Sequence, residues 1–395
     1  MAVRACARAA AALAALACAA ALVAGLPAAA AAAPRALDTS RLALCEEAGG
    51  GSAVKVCYQR KILALLEGAR DPASGMPEID VYAHRVGGLL DASCHILMHW
   101  VGRQYGIDER VTLAGLQGLL PRSNDPGCSA GFAHGLIGTL GKDVLKAGPQ
   151  GALATCRAQG TRYRRYSCVH GLGHAYMRAY MESLEVALPA CKALGPADAP
   201  DCAAGAFHDY WLALQGADQA QYPGKPENSP RRLCALQPAW AVRGCWFRAL
   251  LEQPPRTIPA AARAVPGALC GGLPALQRAG CVAGAMLVWG DDPYRVLAAC
   301  GTMAAAADQA ACVRGVKGQL LAGRPQADLV RLVQGCAALA AGAARDACAR
   351  WLGTELQVVS DGAFAPAGCT AAGRALAAAC TAGAAASDGA LETFS

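Results

Sequence analysis

The stretch Cys191-Lys-Ala-Leu-Gly-Pro-Ala-Asp-Ala-Pro-Asp-Cys202 places two cysteines 11 residues apart around Gly195, Pro196 and Pro200. Because glycine and proline end helices, the stretch predicts a turn between a helix that closes at Cys191 and a helix that opens at Cys202. On one continuous helix the two cysteines would lie roughly 17 Å apart. A disulfide needs Cα atoms about 4.4–6.8 Å apart, so we expect this pair to staple a helical hairpin.

The same spacing recurs along the chain, where sixteen cysteines form eight pairs 11 or 12 residues apart. These pairs are Cys45/Cys57, Cys156/Cys168, Cys191/Cys202, Cys234/Cys245, Cys270/Cys281, Cys300/Cys312, Cys336/Cys348 and Cys369/Cys380. Aligning on the second cysteine, and adding Cys94 and Cys128, gives ten units of about 36 residues, the length of two-helix solenoid repeats. The sequence therefore predicts an all-α fold: an α-solenoid of about ten two-helix repeats, most with an intra-hairpin disulfide.

Composition and local signals agree with thin, closely packed helices. The mean hydropathy of +0.26 over 395 residues indicates ample apolar material for a buried core. Aromatic residues make up only 5% of the chain while Ala and Gly dominate, which favours a helical core over a sheet core. A glycine follows many second cysteines by three positions, as in Cys128/Gly131 and Cys202/Gly205, and would let neighbouring helices approach closely. Ser167 and Asp201 stand directly before second cysteines and are predicted to be helix N-caps.

This cysteine pattern from Cys45 to Cys380 resembles the tetratricopeptide-like repeats of the Helicobacter-type cysteine-rich proteins, in which each helical hairpin carries its own disulfide. The cysteine spacing is longer here, and the family's Leu-Gly-x-x-Tyr signature is not clear. The resemblance implies an α-solenoid fold and, by analogy, a protein partner on the solenoid face.

The N-terminus has the features of an export signal. Arg4 and Arg8 precede an Ala/Leu-rich run and a small-residue cleavage region, so we predict a signal peptide over residues 1–33. A membrane anchor and lipid attachment at Cys18 are the alternatives, but the run is short and no stop-transfer pattern follows. We expect a secreted or periplasmic protein with no stable membrane span, helical repeats over 34–215 and further helical repeats, as scaffold or partner surface, over 216–395.

The seven histidines lie only between residues 84 and 208, although the cysteine repeat continues to Cys380. They are His84, His95, His99, His134, His170, His174 and His208. Three of them follow the second cysteine of their unit by six residues, so they occupy one equivalent position on three successive helices: His134, His174 and His208. Such positions form a ladder in a solenoid, and neighbouring imidazoles on it can share a metal ion.

Spacing within helices points to the same chemistry. His95/His99 and His170/His174 are i, i+4 pairs, which place two imidazoles on one helical face. Asp91 stands four residues before His95 and is a candidate ligand or orienting carboxylate. Met98, Met177 and Met181 are candidate soft ligands, and thioether together with imidazole favours copper over zinc or iron. Buried core packing is the ordinary alternative for these methionines.

Cys94 and Cys128 lack a partner 11 or 12 residues away. One interpretation is that they pair with each other. Equivalent positions on neighbouring repeats would be about 9 Å apart, however, which is beyond disulfide reach unless the stacking is distorted. The other is a Cys94 thiolate beside His84, His95 and His99. We favour the bridge, because an exposed thiol is vulnerable outside the cell.

The sequence thus predicts an exported metal-binding repeat protein, most readily a histidine-ligated, copper-type oxidoreductase acting on a small molecule or peptide. Non-covalent haem between two histidines is a further cofactor candidate, since no Cys-x-x-Cys-His attachment sequence is present. The alternatives are a non-catalytic α-solenoid that binds a peptide or protein, and a protein that buffers or delivers metal. Nucleic acid is not expected, because the net charge of +7 is spread over a long chain without a binding motif.

Overall fold

A computed structural model shows that the described part of the chain is built from helices, without a β-strand. The structure describes residues 37–46, 51–69, 71–181, 183–215, 229–251, 269–286, 292–316, 320–321, 323–360, 362–364 and 366–385. The predicted signal peptide over 1–33 and the candidate lipidation site at Cys18 lie outside these ranges. No helix within them is long and apolar enough to span a bilayer.

The α-helices are α1 (Gly51–Glu67), α2 (Pro72–Val86), α3 (Gly88–Asp108), α4 (Cys128–Gly138), α5 (Gly141–Arg157), α6 (Arg162–Ala179), α7 (Leu184–Lys192), α8 (Ala199–Gln215), α9 (Pro230–Ala235), α10 (Val242–Leu251), α11 (Ala275–Met286), α12 (Pro293–Gly301), α13 (Ala306–Val313), α14 (Gln326–Gly335), α15 (Ala343–Val359), α16 (Ala367–Ala371) and α17 (Arg374–Ala385). Short 3₁₀ helices cover Thr39–Cys45, Leu116–Gly118 and Cys336–Ala338.

The eight predicted hairpin disulfides are all present, with Cα–Cα distances of 5.3–5.7 Å. Each bridges the turn between one helical segment and the next. Closing a loop of this length stabilises the fold by roughly 2–3 kcal/mol on the chain-entropy model. This matters here because short, alanine-rich helices bury little apolar area each.

The helices that carry the second cysteines pack in chain order. They are α1, α3, α4, α6, α8, α10, α11, α13, α15 and α17, and each contacts the next one along the series. Between α3 and α4 the structure holds only the 3₁₀ turn Leu116–Gly118, and residues 95–127 contain no cysteine. That unit therefore offers no first-helix cysteine to pair with Cys128.

The structure joins Cys94 to Cys128, with a Cα–Cα distance of 4.9 Å. The expected separation of about 9 Å was wrong because glycines of α4 lie directly against the backbone of α3. A Cβ added to Gly131 or Gly135 would collide with the carbonyl oxygen of His95 or His99. Without side chains at these points the two backbones approach far more closely than ordinary helices, which lie about 8–10 Å apart.

The predicted N-caps are also corrected. Helix α6 begins five residues before Ser167, where the side chain of Thr161 accepts a hydrogen bond from the Arg164 amide and caps the helix. Ser167 therefore lies inside the helix and is buried. Asp201 likewise falls in the first turn of α8, which begins at Ala199. The early start of α6 leaves the Ser167 hydroxyl available to the site described next.

Candidate metal centre

Six of the seven histidines meet where α3, α4, α6 and α8 pack together. Helix α3 supplies His95 and His99, α4 supplies His134, α6 supplies His170 and His174, and α8 supplies His208. Their ring centroids lie 4.5–5.9 Å apart in eleven pairs that link all six rings. The predicted ladder is present: the ring centroids of His134 and His174 are 5.7 Å apart, and those of His174 and His208 are 5.0 Å apart.

Glycine contacts also bring α6 and α8 together as closely as α3 and α4. A Cβ on Gly205 would collide with the His170 carbonyl oxygen, and one on Gly173 would collide with the Cys202 carbonyl oxygen. The histidine side chains of α6 and α8 therefore start from backbones that are already in contact. This explains why rings from four helices reach one another.

Hydrogen bonds to fixed acceptors set the tautomers of two rings. The Nδ1–H of His95 donates to the carbonyl oxygen of Pro126 at 2.8 Å, and the Nδ1–H of His174 donates to Asp209 Oδ1 at 3.0 Å. Each of these rings therefore keeps a lone pair on Nε2, the atom that would bind a metal ion. The Ser167 hydroxyl lies 3.0 Å from His134 Nε2.

Nitrogen atoms of neighbouring rings lie at separations that suit a shared ion. His95 Nε2 and His99 Nε2 are 3.2 Å apart, and His99 Nε2 and His134 Nδ1 are 3.4 Å apart. Two imidazoles bound tetrahedrally at about 2.0–2.1 Å from one ion separate their nitrogens by about 3.3 Å. An N–H···N hydrogen bond between rings has a similar length, so the same spacing suits the metal-free and the metal-bound cluster.

Buried histidine nitrogens without a hydrogen-bond partner favour a bound metal ion over hydrogen bonds between the rings. His170 Nδ1 and His174 Nε2 are buried and lack a hydrogen-bond partner in the structure. A buried polar atom left in this way costs about 1–3 kcal/mol, and most proteins avoid it. A cation bound by these lone pairs would remove the cost.

All six rings are neutral at pH 7. Burial lowers the pKa of His95 to about 4, with a smaller opposing contribution from its hydrogen bond to Pro126. Burial also lowers the pKa of His174, and it holds the pKa values of His99, His134, His170 and His208 well below the ordinary value. Neutral imidazole is the form that binds metal, so protons do not compete for the site near neutral pH.

The six histidines form three triads, in each of which one nitrogen per ring lies within 4.8 Å of the other two. The outer triad is His95, His99 and His134; the middle triad is His99, His174 and His208; the inner triad is His134, His170 and His174. Two members of the outer triad are half-buried, one member of the middle triad is half-buried, and the inner triad is wholly buried.

The seventh histidine, His84, lies outside the three triads, although its sequence position made it a candidate ligand. Its Nδ1–H donates to Asp91 Oδ1 at 2.8 Å and its Nε2–H donates to Asp125 Oδ2 at 2.6 Å. These two carboxylates, Asp125 first, raise the pKa of His84 to about 10, so the ring is a cation with no lone pair for a metal. Asp91 therefore orients His84 and not His95.

The three methionines do not form the soft-ligand stripe that the spacing suggested. Met98 and Met177 are fully buried members of the main hydrophobic core. Met181 lies beyond α6, which ends at Ala179, and is 71% exposed with a left-handed φ of 52°. The helical register from His170 is broken before it reaches Met181.

Sequence reasoning missed several groups that act on the cluster from neighbouring elements. Asp209 holds His174 and also lies 3.3 Å from the Arg178 guanidinium. The buried guanidinium of Arg248, on α10, is the next cause after burial that lowers the pKa values of His170 and His208. Arg248 belongs to the region expected to be scaffold. The acidic residue directly after His208 was a visible signal, but its role depends on how α8 packs on α6.

No family model, curated protein or solved structure matches the chain. Fold and site together define an all-helical protein stapled by nine disulfides, with buried histidine triads that could hold a metal ion. So many disulfides fit an oxidising, extracellular setting.

Proposed function

We propose that this is an exported protein that binds a transition-metal ion in its histidine cluster, with copper favoured over zinc or iron. The observation that carries the proposal is the set of three triads of neutral imidazole nitrogens, on rings that are buried or half-buried. No carboxylate joins these triads, which disfavours Ca²⁺, Mg²⁺ and Mn²⁺. An all-imidazole donor set suits copper, zinc and iron, and copper stands highest among the divalent ions in affinity.

A bare ion fits the cluster better than haem does. A porphyrin plane would have to pass between two axial imidazoles, and here each ring already contacts several others at centroid distances down to 4.5 Å. Inserting the plane would displace the remaining rings. An ion needs only small rotations of side chains that already face one another.

The activity we propose first is that of an oxidoreductase. Three histidines leave a coordination position open on the ion, as catalytic centres require. Neutral donors can hold copper in both the cuprous and cupric states. The half-buried His95 and His99 place the outer triad where a small molecule or peptide can approach.

Metal buffering or delivery is the second candidate, favoured by the graded burial of the triads. Such a protein would exchange its ion without turnover of a substrate. The α-solenoid arrangement, with a protein partner on its face, is part of the same proposal: it is supported by the unbroken packing order of the second helices.

Metal analysis of protein purified without a polyhistidine tag tests the proposal. After separate equilibration with Cu, Zn and Fe and removal of free ion, we expect bound copper. The double variant His99→Ala/His174→Ala should retain none, because every triad contains His99 or His174.

The matched control is Arg350→Ala/Thr354→Ala, which changes the two positions of α15 that correspond to His170 and His174 in the repeat. It should bind copper as the unaltered protein does. Absence of all three metals from the unaltered protein would end the proposal. Unchanged stoichiometry in the histidine double variant would show that the site lies elsewhere.

A further inference from the structure

The three triads share their members in a closed pattern. The outer and middle triads share His99, the outer and inner triads share His134, and the middle and inner triads share His174. Ring centroids of these three shared histidines lie 4.9–5.7 Å apart, so they form a central triangle. No two triads are disjoint, so two ions could occupy two triads together only by sharing a ring.

Each triad also has one member of its own. His95 belongs only to the outer triad, His208 only to the middle triad and His170 only to the inner triad. An ion in any triad can therefore pass to another while one shared imidazole stays bound. Retaining a ligand avoids returning the ion to water inside a buried site, which would be costly.

Burial orders the three positions. His95 and His99 are half-buried, whereas His134, His170 and His174 are 0–3% exposed. Water and a free ion reach the outer triad most readily, and the inner triad least. Loading must therefore begin on the α3 side of the cluster.

Hydrogen bonds behind the rings favour metal binding at the middle and inner triads over the outer triad. His174 donates to the buried carboxylate of Asp209, and His174 belongs to the middle and inner triads but not to the outer one. A carboxylate behind a metal-binding imidazole raises its basicity and adds a counter-charge. The ring of His95, in contrast, donates to the neutral carbonyl of Pro126. The inner triad also contains two buried nitrogens that lack a hydrogen-bond partner, His170 Nδ1 and His174 Nε2, and it shares His174 with the middle triad.

We propose that the cluster is a relay for one transition-metal ion, which enters at the outer triad and comes to rest in the inner triad by exchanging ligands around the central triangle. This inference rests on the proposed metal binding and adds a direction and a resting position to it. Because the inner triad is wholly buried, the relay favours the buffering or delivery role over catalysis at the outer triad. His95 serves entry, His170 serves retention, and the shared histidines carry the ion between them.

Cupric ion and the full-length, oxidised protein test the relay through two single variants. His95→Ala should slow both copper loading, followed by stopped flow, and copper removal by EDTA. Because removal retraces the loading path, both rates should fall by the same factor and the dissociation constant should not change. His170→Ala should load at the normal rate but release copper faster and bind it more weakly, by about tenfold or more, since even loss of an outer-shell partner costs 10–100-fold.

Ile96→Ala is the control, because Ile96 is an exposed neighbour of His95 on α3 and belongs to no triad. It should behave as the unaltered protein does. His95→Phe keeps an aromatic ring at this position without a nitrogen ligand, so it separates ligand loss from the cavity that Ala leaves, and it should reproduce the kinetics of His95→Ala.

Two results would overturn the relay while leaving metal binding intact. One is equal weakening of the dissociation constant by His95→Ala and His170→Ala, which would indicate one composite site. The other is normal loading in both His95 variants, which would place entry elsewhere. An unaltered protein that binds no copper overturns the proposed metal binding itself, and the relay with it.

Discussion

The helix pairs α6/α8 and α15/α17 pack in the same register at two distant points of the chain. In each pair a glycine five residues after the repeat cysteine faces the carbonyl oxygen of the next repeat cysteine. Gly173 faces Cys202 in α6/α8, and Gly353 faces Cys380 in α15/α17. The close backbone contact at glycine therefore belongs to the repeat scaffold and occurs with or without histidine.

The second glycine contact repeats as well. Gly205 lies against the carbonyl oxygen of His170, and Gly383 lies against that of Arg350. His170 and Arg350 both follow their repeat cysteine by two residues. The same backbone position thus carries a buried imidazole in one pair and an arginine in the other.

The two helix pairs differ in the side chains four residues after His170 and Arg350, which are His174 and Thr354. Thr354 donates its hydroxyl to the Gly383 carbonyl oxygen at 2.8 Å, so its hydrogen-bonding capacity is used within the scaffold. At the equivalent position His174 points an unpartnered Nε2 into the cluster. The same helix packing is therefore achieved in α15/α17 without histidine at these positions.

Acid should affect the two regions of the metal-free protein differently, and this is the largest effect we expect. An unfolded chain binds protons on histidine below about pH 6.5, whereas folded His95 does so only at about 4. Its depressed pKa means that stability is complete above pH 6.5 and falls as the pH drops toward 4, by up to about 3 kcal/mol for this residue. The other five buried rings act in the same direction.

Hydrogen exchange followed by mass spectrometry, corrected for the intrinsic pH dependence, checks this prediction. Helices α3, α4, α6 and α8 should lose protection between pH 6.5 and 4, whereas α15 and α17 should keep theirs. Loss of protection in both regions at the same pH would contradict it. Copper should restore protection to the histidine-bearing helices.

Replacing the contact glycine with alanine in each helix pair should distinguish an effect on folding from an effect on metal binding. Gly205→Ala and Gly383→Ala both push a Cβ into a backbone carbonyl oxygen, so each should lower the free energy of unfolding by about 1–3 kcal/mol. Urea unfolding of the oxidised proteins measures this. Only Gly205→Ala should also weaken copper binding, and equal weakening by Gly383→Ala would refute the separation of the two regions.

Removing the carboxylate behind His174 should weaken the metal site without loosening the scaffold. Asp209→Asn should lower copper affinity by about 10–100-fold, since the ring loses its anionic partner. Asp91→Asn is the matched control, because Asp91 bonds the non-cluster ring of His84. Competition titration against a copper chelator should show a change for Asp209→Asn alone; equal affinities for the two variants would mean that Asp209 plays no part.

The smallest expected effect on stability comes from Thr354 in α15, whose hydroxyl is already bonded within the scaffold. Thr354→Val keeps the side-chain volume but leaves the Gly383 carbonyl oxygen without this donor, which should cost about 1 kcal/mol of unfolding free energy. Copper affinity should stay the same. A change in copper affinity would show that α15 is coupled to the cluster.

Much of the fold follows from the sequence because cysteine spacing is a local signal. Pairs such as Cys191/Cys202 specify a hairpin wherever they occur, and all eight such disulfides are present. The distance between Cys94 and Cys128 could not be judged in the same way. It depends on glycines of two helices that meet only in three dimensions, Gly131 and Gly135 among them.

The site shows the same division between local and long-range information. Repeat position and i, i+4 spacing brought out the six clustered histidines, yet His84 fits the same stretch of sequence and is held apart by Asp91 and Asp125. The partner of His174 is Asp209, 35 residues away on another helix. Met181 was misplaced because a helix end two residues earlier broke the periodicity.

X-ray absorption at the copper K-edge of the untagged, copper-loaded protein tests the central claim most directly. Three imidazole nitrogens at about 2.0 Å, with the multiple scattering typical of histidine and no sulfur in the first shell, are expected. Absence of bound copper, or a first shell containing sulfur, would contradict the assignment of the six-histidine cluster as the metal centre.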